Sequence, residues 1–165
     1  MNSVNNMIFI FLLIIPILVA CVSLLFSTQQ RFVRATSILG SVLFFILALV
    51  HAVMVYAGTA TPPSPWFAFD TIGALMTLVV GWVFMMAMIV SDRYLAHERA
   101  LSHPDDSRQL QYYALAHLFA LAMVVMLSAD HMILAWIALE ASTLATTLLV
   151  AYNGKRRSLE AAWKY

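Results

Sequence analysis

Five long apolar runs dominate this chain of 165 residues. They cover residues 7–26, 38–57, 72–90, 110–127 and 132–152. Each run is close to the roughly 20 residues that a helix needs to cross the hydrocarbon core of a bilayer. Hydrophobic residues make up 63% of the chain and charged residues only 10%, unlike the composition of soluble domains. We therefore predict an all-α fold, a polytopic membrane helix bundle with five transmembrane helices.

The residues after the fifth run predict the start of a sixth helix. Gly154 suits the left-handed position that ends a helix, and Ser158 can cap a new helix that begins near Leu159. Only about seven residues then follow, whereas a span needs about 20. We therefore expect residues 1–165 to be a single membrane domain, the amino-terminal part of a longer subunit.

The nine Lys and Arg residues occupy only three places along the chain. These places are the first linker, the third linker and the segment after the fifth run. Cytoplasmic loops of membrane proteins carry an excess of basic residues. The pattern therefore predicts an N-terminus outside, in the periplasm, and odd-numbered linkers in the cytoplasm. The expected location is the cell membrane. In a cell with two membranes this is the inner membrane.

Several other kinds of chemistry lack sequence support. A net charge of +1 gives no electrostatic reason to expect nucleic acid as a partner. The single cysteine, Cys21, cannot form an internal disulfide or a metal site by itself. No phosphate-binding loop, metal cluster or nucleophile motif is present, so no cofactor or metal is expected. The "LVAC" stretch that ends at Cys21 is similar to a lipoprotein cleavage box. The amino terminus lacks the positive charge of a signal peptide, so we interpret Cys21 as a buried residue of a retained helix.

Glu140 is the acidic residue predicted to lie deepest in an apolar run, while Asp92 is assigned to the third linker. Glu140 follows Met132 by two helical turns, which places it about 12 Å from the outer end of its helix. A carboxylate at that depth costs about 2.5–3.5 kcal/mol, so it should face the bundle interior or water and have a partner. We predict that Glu140 relays protons and that Lys164 is its candidate cation. The alternative for Lys164 is an i,i+4 pair with Glu160.

Hydroxyls and histidines are the other polar groups at depth. Thr143 and Thr147 share the helical stripe of Glu140, but their hydroxyls can bond to carbonyls one turn earlier, as ordinary packing residues do. His51 and His117 lie at heights about 10 Å apart, so one haem iron could not easily bind both. We interpret each histidine as one that hydrogen-bonds between helices. A proton-relay role for His117 is the alternative.

Three stretches carry a resemblance to a known family. They are "FDTIGALMTLVV", "YYALAHLFALAMVVMLSADHMILAWIALEASTLATTLLVAY" and "RRSLEAAWKY". They look like the antiporter-like proton-pumping subunits of respiratory complex I and its relatives, in particular the F-type membrane component of hydrogenase 4. The resemblance covers residues 69–165 with specific motifs and the first two runs more weakly. It implies a complete protein of about fourteen membrane-spanning helices with both termini outside.

The resemblance also implies roles for particular residues and partners. Glu140 matches the family's fifth-helix glutamate, a proton-pathway residue, and Lys164 matches the lysine of the "EAAxKY" element. His131 stands where many members have asparagine. The implied function is a non-redox membrane subunit that moves protons within a hydrogenase or NADH–quinone oxidoreductase-like complex, beside other membrane subunits in the lipid bilayer. Two alternatives stay open: a truncated or structural helix bundle without transport, and a piece of a cation/proton antiporter or inorganic-carbon uptake system.

Overall fold

The computed structural model describes residues 2–26, 29–101, 106–152 and 156–164. These residues fold into six helices: α1 (Asn2–Leu25), α2 (Gln30–Tyr56), α3 (Thr71–Leu101), α4 (Asp106–Ser128), α5 (Met132–Ala151) and α6 (Arg156–Lys164). Five of the described helices are long and apolar enough to cross a membrane. The prediction of an all-α membrane bundle with five spans and a further short helix is therefore confirmed.

Several helix boundaries differ from the predicted ones. α2 already begins at Gln30, and α3 continues to Leu101, because a helix keeps its backbone groups paired whether or not its side chains are apolar. α6 begins at Arg156, so Ser158 lies inside the helix and its predicted role as a cap is wrong. Gly154 lies outside the described residues.

α4 is the centre of the bundle, because it packs against α1, α2, α3 and α5. Within its span 44% of the residues are buried, compared with 17% for α5. Among the described helices α5 contacts only α4 and α6. Side chains on the remaining surface of α5 therefore meet lipid or protein from outside the described residues.

Aromatic side chains fill the core between the inner helices. The ring of Phe9 in α1 lies 4.8 Å from Phe69 and 5.5 Å from His51, and Phe44 of α2 lies 5.7 Å from Phe84 of α3. Cys21 is exposed on α1, so the prediction that it is buried is wrong. The reason is helical geometry: the buried stripe of α1 passes through neighbouring positions, and Cys21 falls between them.

The loop before α3 is tied to the link between α4 and α5. Phe67 pairs with Ala129 in an isolated antiparallel bridge, and the Asp130 N–H donates to the Trp66 carbonyl at 2.9 Å. His131 makes no side-chain cap on α5, and its ring instead contacts Trp66 at 4.9 Å. Backbone bonds therefore hold this turn whichever residue follows the aspartate, and the His131 ring adds a contact with Trp66.

Asp70 caps the start of α3, since both of its carboxylate oxygens accept from the Gly73 N–H at 3.2 Å. Replacing Asp70 with alanine is expected to lower the free energy of unfolding by about 1 kcal/mol, because the cap and its favourable charge at the helix start are lost. Thermal unfolding of the detergent-solubilised protein measures this loss. Asp130→Ala is the matched control, because the exposed Asp130 carboxylate bonds to none of the described residues. Equal losses in both variants would contradict the capping role.

Candidate functional site

Glu140 lies on the exposed side of α5. The residues that α5 buries are Ala138, Ser142 and Ala145, and at about 100° per residue Glu140 points roughly the opposite way. No side chain among the described residues hydrogen-bonds or ion-pairs with its carboxylate. The described helices therefore neither enclose Glu140 nor supply a partner for its carboxylate, so the prediction that it faces the interior of this bundle is wrong.

The surroundings of Glu140 on this side of α5 are apolar. Trp136 and Ile137, one turn before it, are 65% and 56% exposed, and Leu144, one turn after it, is 58% exposed. We call this surface, Ile133, Trp136, Ile137, Glu140 and Leu144, the outer face of α5. A carboxylate in such a position within a span costs about 2.5–3.5 kcal/mol unless something from outside the described residues pairs with it.

The hydroxyls near Glu140 are already satisfied by their own helix. Thr143 Oγ1 donates to the Glu140 carbonyl and Thr147 Oγ1 donates to the Thr143 carbonyl, both at 2.8 Å. Ser142 Oγ donates to the Leu139 carbonyl at 2.7 Å. The interpretation of these hydroxyls as packing residues is confirmed, and none of them donates to the carboxylate of Glu140.

Lys164 has a local partner. Its Nζ donates to Glu160 Oε1 at 2.9 Å, and the two side chains are 72% and 62% exposed. This i,i+4 pair is the alternative that the spacing predicts. The structure therefore does not bring Lys164 and Glu140 into contact.

His117 is fully buried in α4. Its Nδ1 bonds to the Tyr113 carbonyl at 2.9 Å, within the same helix and not to a neighbouring one. Its Nε2 is buried and has no hydrogen-bond partner in the part of the chain that the structure describes. His51 is buried as well and packs edge-on against Phe69 at 4.7 Å. No three His, Cys, Asp or Glu side chains within the described ranges lie close enough to hold a metal ion.

A buried ion pair was missed by the sequence analysis. Nε and Nη2 of Arg34 reach the two carboxylate oxygens of Asp92, and the Tyr113 hydroxyl donates to Asp92 Oδ1 at 3.2 Å. Asp92 is only 7% exposed, so its assignment to a solvated linker is wrong. It follows the buried residues Phe84 and Met88 at helical spacing, and that stripe is the signal that could have located it.

Comparison with known proteins yields relatives in two respiratory or hydrogenase systems. Over 149 residues the chain is 28% identical to a hydrogenase-4 component F homolog from Methylacidiphilum infernorum (isolate V4), and the match covers 90% of this chain and 31% of that protein. It is 30% identical over 155 residues to NADH-quinone oxidoreductase subunit N from Azoarcus sp. (strain BH72), covering 90% of this chain and 30% of that protein. These matches support the family of complex I-like antiporter subunits.

The predicted resemblance to this family is therefore confirmed. The chain spans about a third of the length of the curated relatives it matches (31% and 30%). No family model matches the chain, and no solved structure matches it.

Proposed function

We propose that this chain is part of a membrane subunit of a proton-translocating complex of the hydrogenase or NADH–quinone oxidoreductase kind, in which Glu140 relays protons. The observation that carries the proposal is a carboxylate within a span, on the apolar outer face of α5, that has no partner among the described residues. Such a carboxylate either meets a cation from outside the described residues or takes up a proton. A carboxylate that alternates between pairing with a cation and binding a proton can pass protons on. The redox chemistry belongs to partner subunits.

Lys164 is proposed as a second residue of the same pathway. Its present partner is the neighbouring Glu160, and both side chains are largely exposed. An exposed i,i+4 pair contributes only about 0.3–0.5 kcal/mol, so this pair does not prevent Lys164 from meeting another carboxylate. The family resemblance supports this assignment.

The proposed orientation follows the charge pattern. Thr61 Oγ1 donates to Asn6 Oδ1 at 3.1 Å, so the start of α1 and the loop before α3 lie at one end of the bundle. The Arg34–Asp92 pair lies towards the opposite end, where the basic linkers are. We infer that the end with the basic linkers is cytoplasmic, in the cell (inner) membrane, with other membrane subunits as partners.

Glu140→Gln in the complete protein, within its complex, tests the proposal. We expect proton pumping to fall by about tenfold or more, because glutamine keeps the size and polarity of the side chain but cannot gain or lose a proton. Dye quenching in inverted membrane vesicles reports pumping, with electron transfer recorded in the same vesicles. Thr143→Val is the matched control, since its hydroxyl serves only its own helix. Unchanged pumping in Glu140→Gln would rule out the proposed role.

A structural role without transport is the second candidate. Two observations favour it: the local Lys164–Glu160 pair and the hydroxyls that bond within α5, neither of which requires a moving proton. In that case Glu140→Gln changes the amount of assembled complex in membranes but not the protons moved per electron. Quantifying the assembled complex by native gel beside the pumping assay distinguishes the two roles.

A further inference from the structure

A second polar site lies between α2 and α4, away from the outer face of α5. Ser37 of α2 and His117 of α4 are both fully buried. Ser37 Oγ and His117 Nε2 have no hydrogen-bond partner among the described residues. Other buried serines do not share this property: Ser23 Oγ donates to the Val19 carbonyl and Ser41 Oγ to the Ile38 carbonyl, both at 2.8 Å. Because buried polar groups are nearly always paired, two orphan atoms on facing helices require an explanation.

The geometry places the free nitrogen of His117 against α2. A Cβ atom added to Gly40 would lie 3.5 Å from His117 Nε2, so this nitrogen meets α2 within one turn of Ser37. The Ser37 carbonyl is close enough to interact with the imidazole, although it makes no hydrogen bond of normal geometry with Nε2. The Ser37 backbone and His117 Nε2 are therefore neighbours where α2 and α4 pack together.

The chemistry of the two atoms is complementary. Nδ1 of His117 faces the Tyr113 carbonyl, which can only accept, so Nδ1 carries a hydrogen and Nε2 of the neutral ring carries a lone pair. The Ser37 hydroxyl can donate and accept. One water molecule bonded to both atoms would satisfy them, whereas without it each atom loses its hydration and gains no hydrogen bond in return.

We propose that a buried water molecule bridges Ser37 Oγ and His117 Nε2, and that this hydrated site takes up and releases a proton at Nε2. A hydronium ion that reaches the water position gives one proton to Nε2 and leaves water behind, and release reverses the step. In the protonated ring Nδ1 donates to the Tyr113 carbonyl, and the Nε2 N–H donates to the bridging water. Binding of the water is independent of the proposed function, whereas its use in transport depends on that function.

The nearest charged groups indicate from which side of the membrane the site is approached. Arg34 precedes Ser37 by three residues on α2, and Tyr113 precedes His117 by four on α4, so the Arg34–Asp92–Tyr113 cluster lies one turn nearer the basic end. The positive and negative charges of that pair offset each other. The hydrated site is therefore approached from the proposed cytoplasmic side.

Solid-state NMR of the protein with ¹⁵N-labelled histidine, in the membranes that contain its complex, tests the water. We expect magnetisation to pass from water to His117 Nε2, and we expect this transfer to be lost in Ser37→Ala. Ser41→Ala is the matched control because Ser41 is equally buried on the same helix but has its own carbonyl partner, and it should leave the transfer unchanged. A resolved Nε2 signal without transfer in the natural protein would overturn the proposal. If Ser37→Ala does not fold, the presence or absence of transfer from water to Nε2 in the natural protein still tests the proposal.

Measurements of proton pumping test whether His117 takes up and releases a proton. His117→Gln is expected to lower pumping by at least half without loss of assembled complex. His51→Gln should leave pumping unchanged because that ring packs among aromatic side chains. Normal pumping in His117→Gln, together with a loss in Glu140→Gln, would overturn proton uptake at His117 but leave the proposed function standing. A loss in His117→Gln with normal pumping in Glu140→Gln would reject the proposed role of Glu140 and support this site.

Discussion

Arg34→Met is expected to lower the free energy of unfolding by about 3–5 kcal/mol, because it leaves the Asp92 carboxylate buried without its cation. The side chain of Asp92 is only 11% exposed and cannot turn to water, and the Tyr113 hydroxyl alone offsets little of the lost charge pairing. Unfolding of the detergent-solubilised protein by heat or by denaturant, followed by circular dichroism, measures the change.

Replacing Asp92 instead of Arg34 is expected to cause a smaller loss of unfolding free energy. Asp92→Asn leaves Arg34, whose side chain is 35% exposed and can redirect its guanidinium to water or headgroups. Replacing both residues, as Arg34→Met with Asp92→Leu, should recover most of the stability because no unpaired charge remains. Arg31→Met is the control: Arg31 is exposed on the same helix and ion-pairs with none of the described residues. Similar losses in Arg31→Met and Arg34→Met would contradict the role of the pair.

Gly40→Ala is expected to lower the free energy of unfolding by about 1–3 kcal/mol through overpacking. The added Cβ would lie 2.6 Å from Val19 Cγ2, closer than carbon atoms approach in folded proteins, so the Val19 side chain or the helix that carries it would have to shift. Its distance to His117 Nε2, 3.5 Å, is an ordinary contact, and the site at His117 should persist. The same unfolding measurement applies.

A double-mutant cycle identifies the clash as the cause. Val19→Ala removes the atom that the new Cβ meets, so Gly40→Ala combined with Val19→Ala should be more stable than the two separate losses predict. Gly81→Ala offers a graded comparison, because its Cβ would lie 3.1 Å from Ala48 Cβ and the expected loss is smaller. Additive losses in the cycle would show that the cost of Gly40→Ala arises elsewhere.

The spans were predictable from sequence because hydropathy depends on side chains alone. Each of the five predicted runs falls within a described helix or ends within one or two residues of it. The hydroxyls at Thr143 and Thr147 were also predictable, since their carbonyl partners lie on the same helix, one turn away. Interactions within one helix depend on how many residues separate the two groups, and that number can be read directly from the sequence.

The Arg34–Asp92 pair was not predicted because span boundaries were drawn where the apolar residues stop. Helix α3 passes that point, and Asp92 continues the buried stripe of Phe84 and Met88 for one more turn. Extending each stripe to the true end of its helix would have placed Asp92 in the core. Its pairing with Arg34 rather than with another cation depends on the contact between α2 and α3, which the spacing along one helix does not specify.

Hydropathy and charge alone established that the chain is a bundle of membrane-spanning helices, because the cost of exposing polar backbone or charge to lipid leaves few other solutions. Packing between helices established where the polar groups lie. The Arg34–Asp92 pair and His117 Nε2 beside Ser37 lie inside the bundle, and Glu140 is turned away from the described helices. Those outcomes depend on how each helix is rotated about its axis. Many weak contacts across the whole bundle set that rotation together, and no short stretch of sequence encodes it.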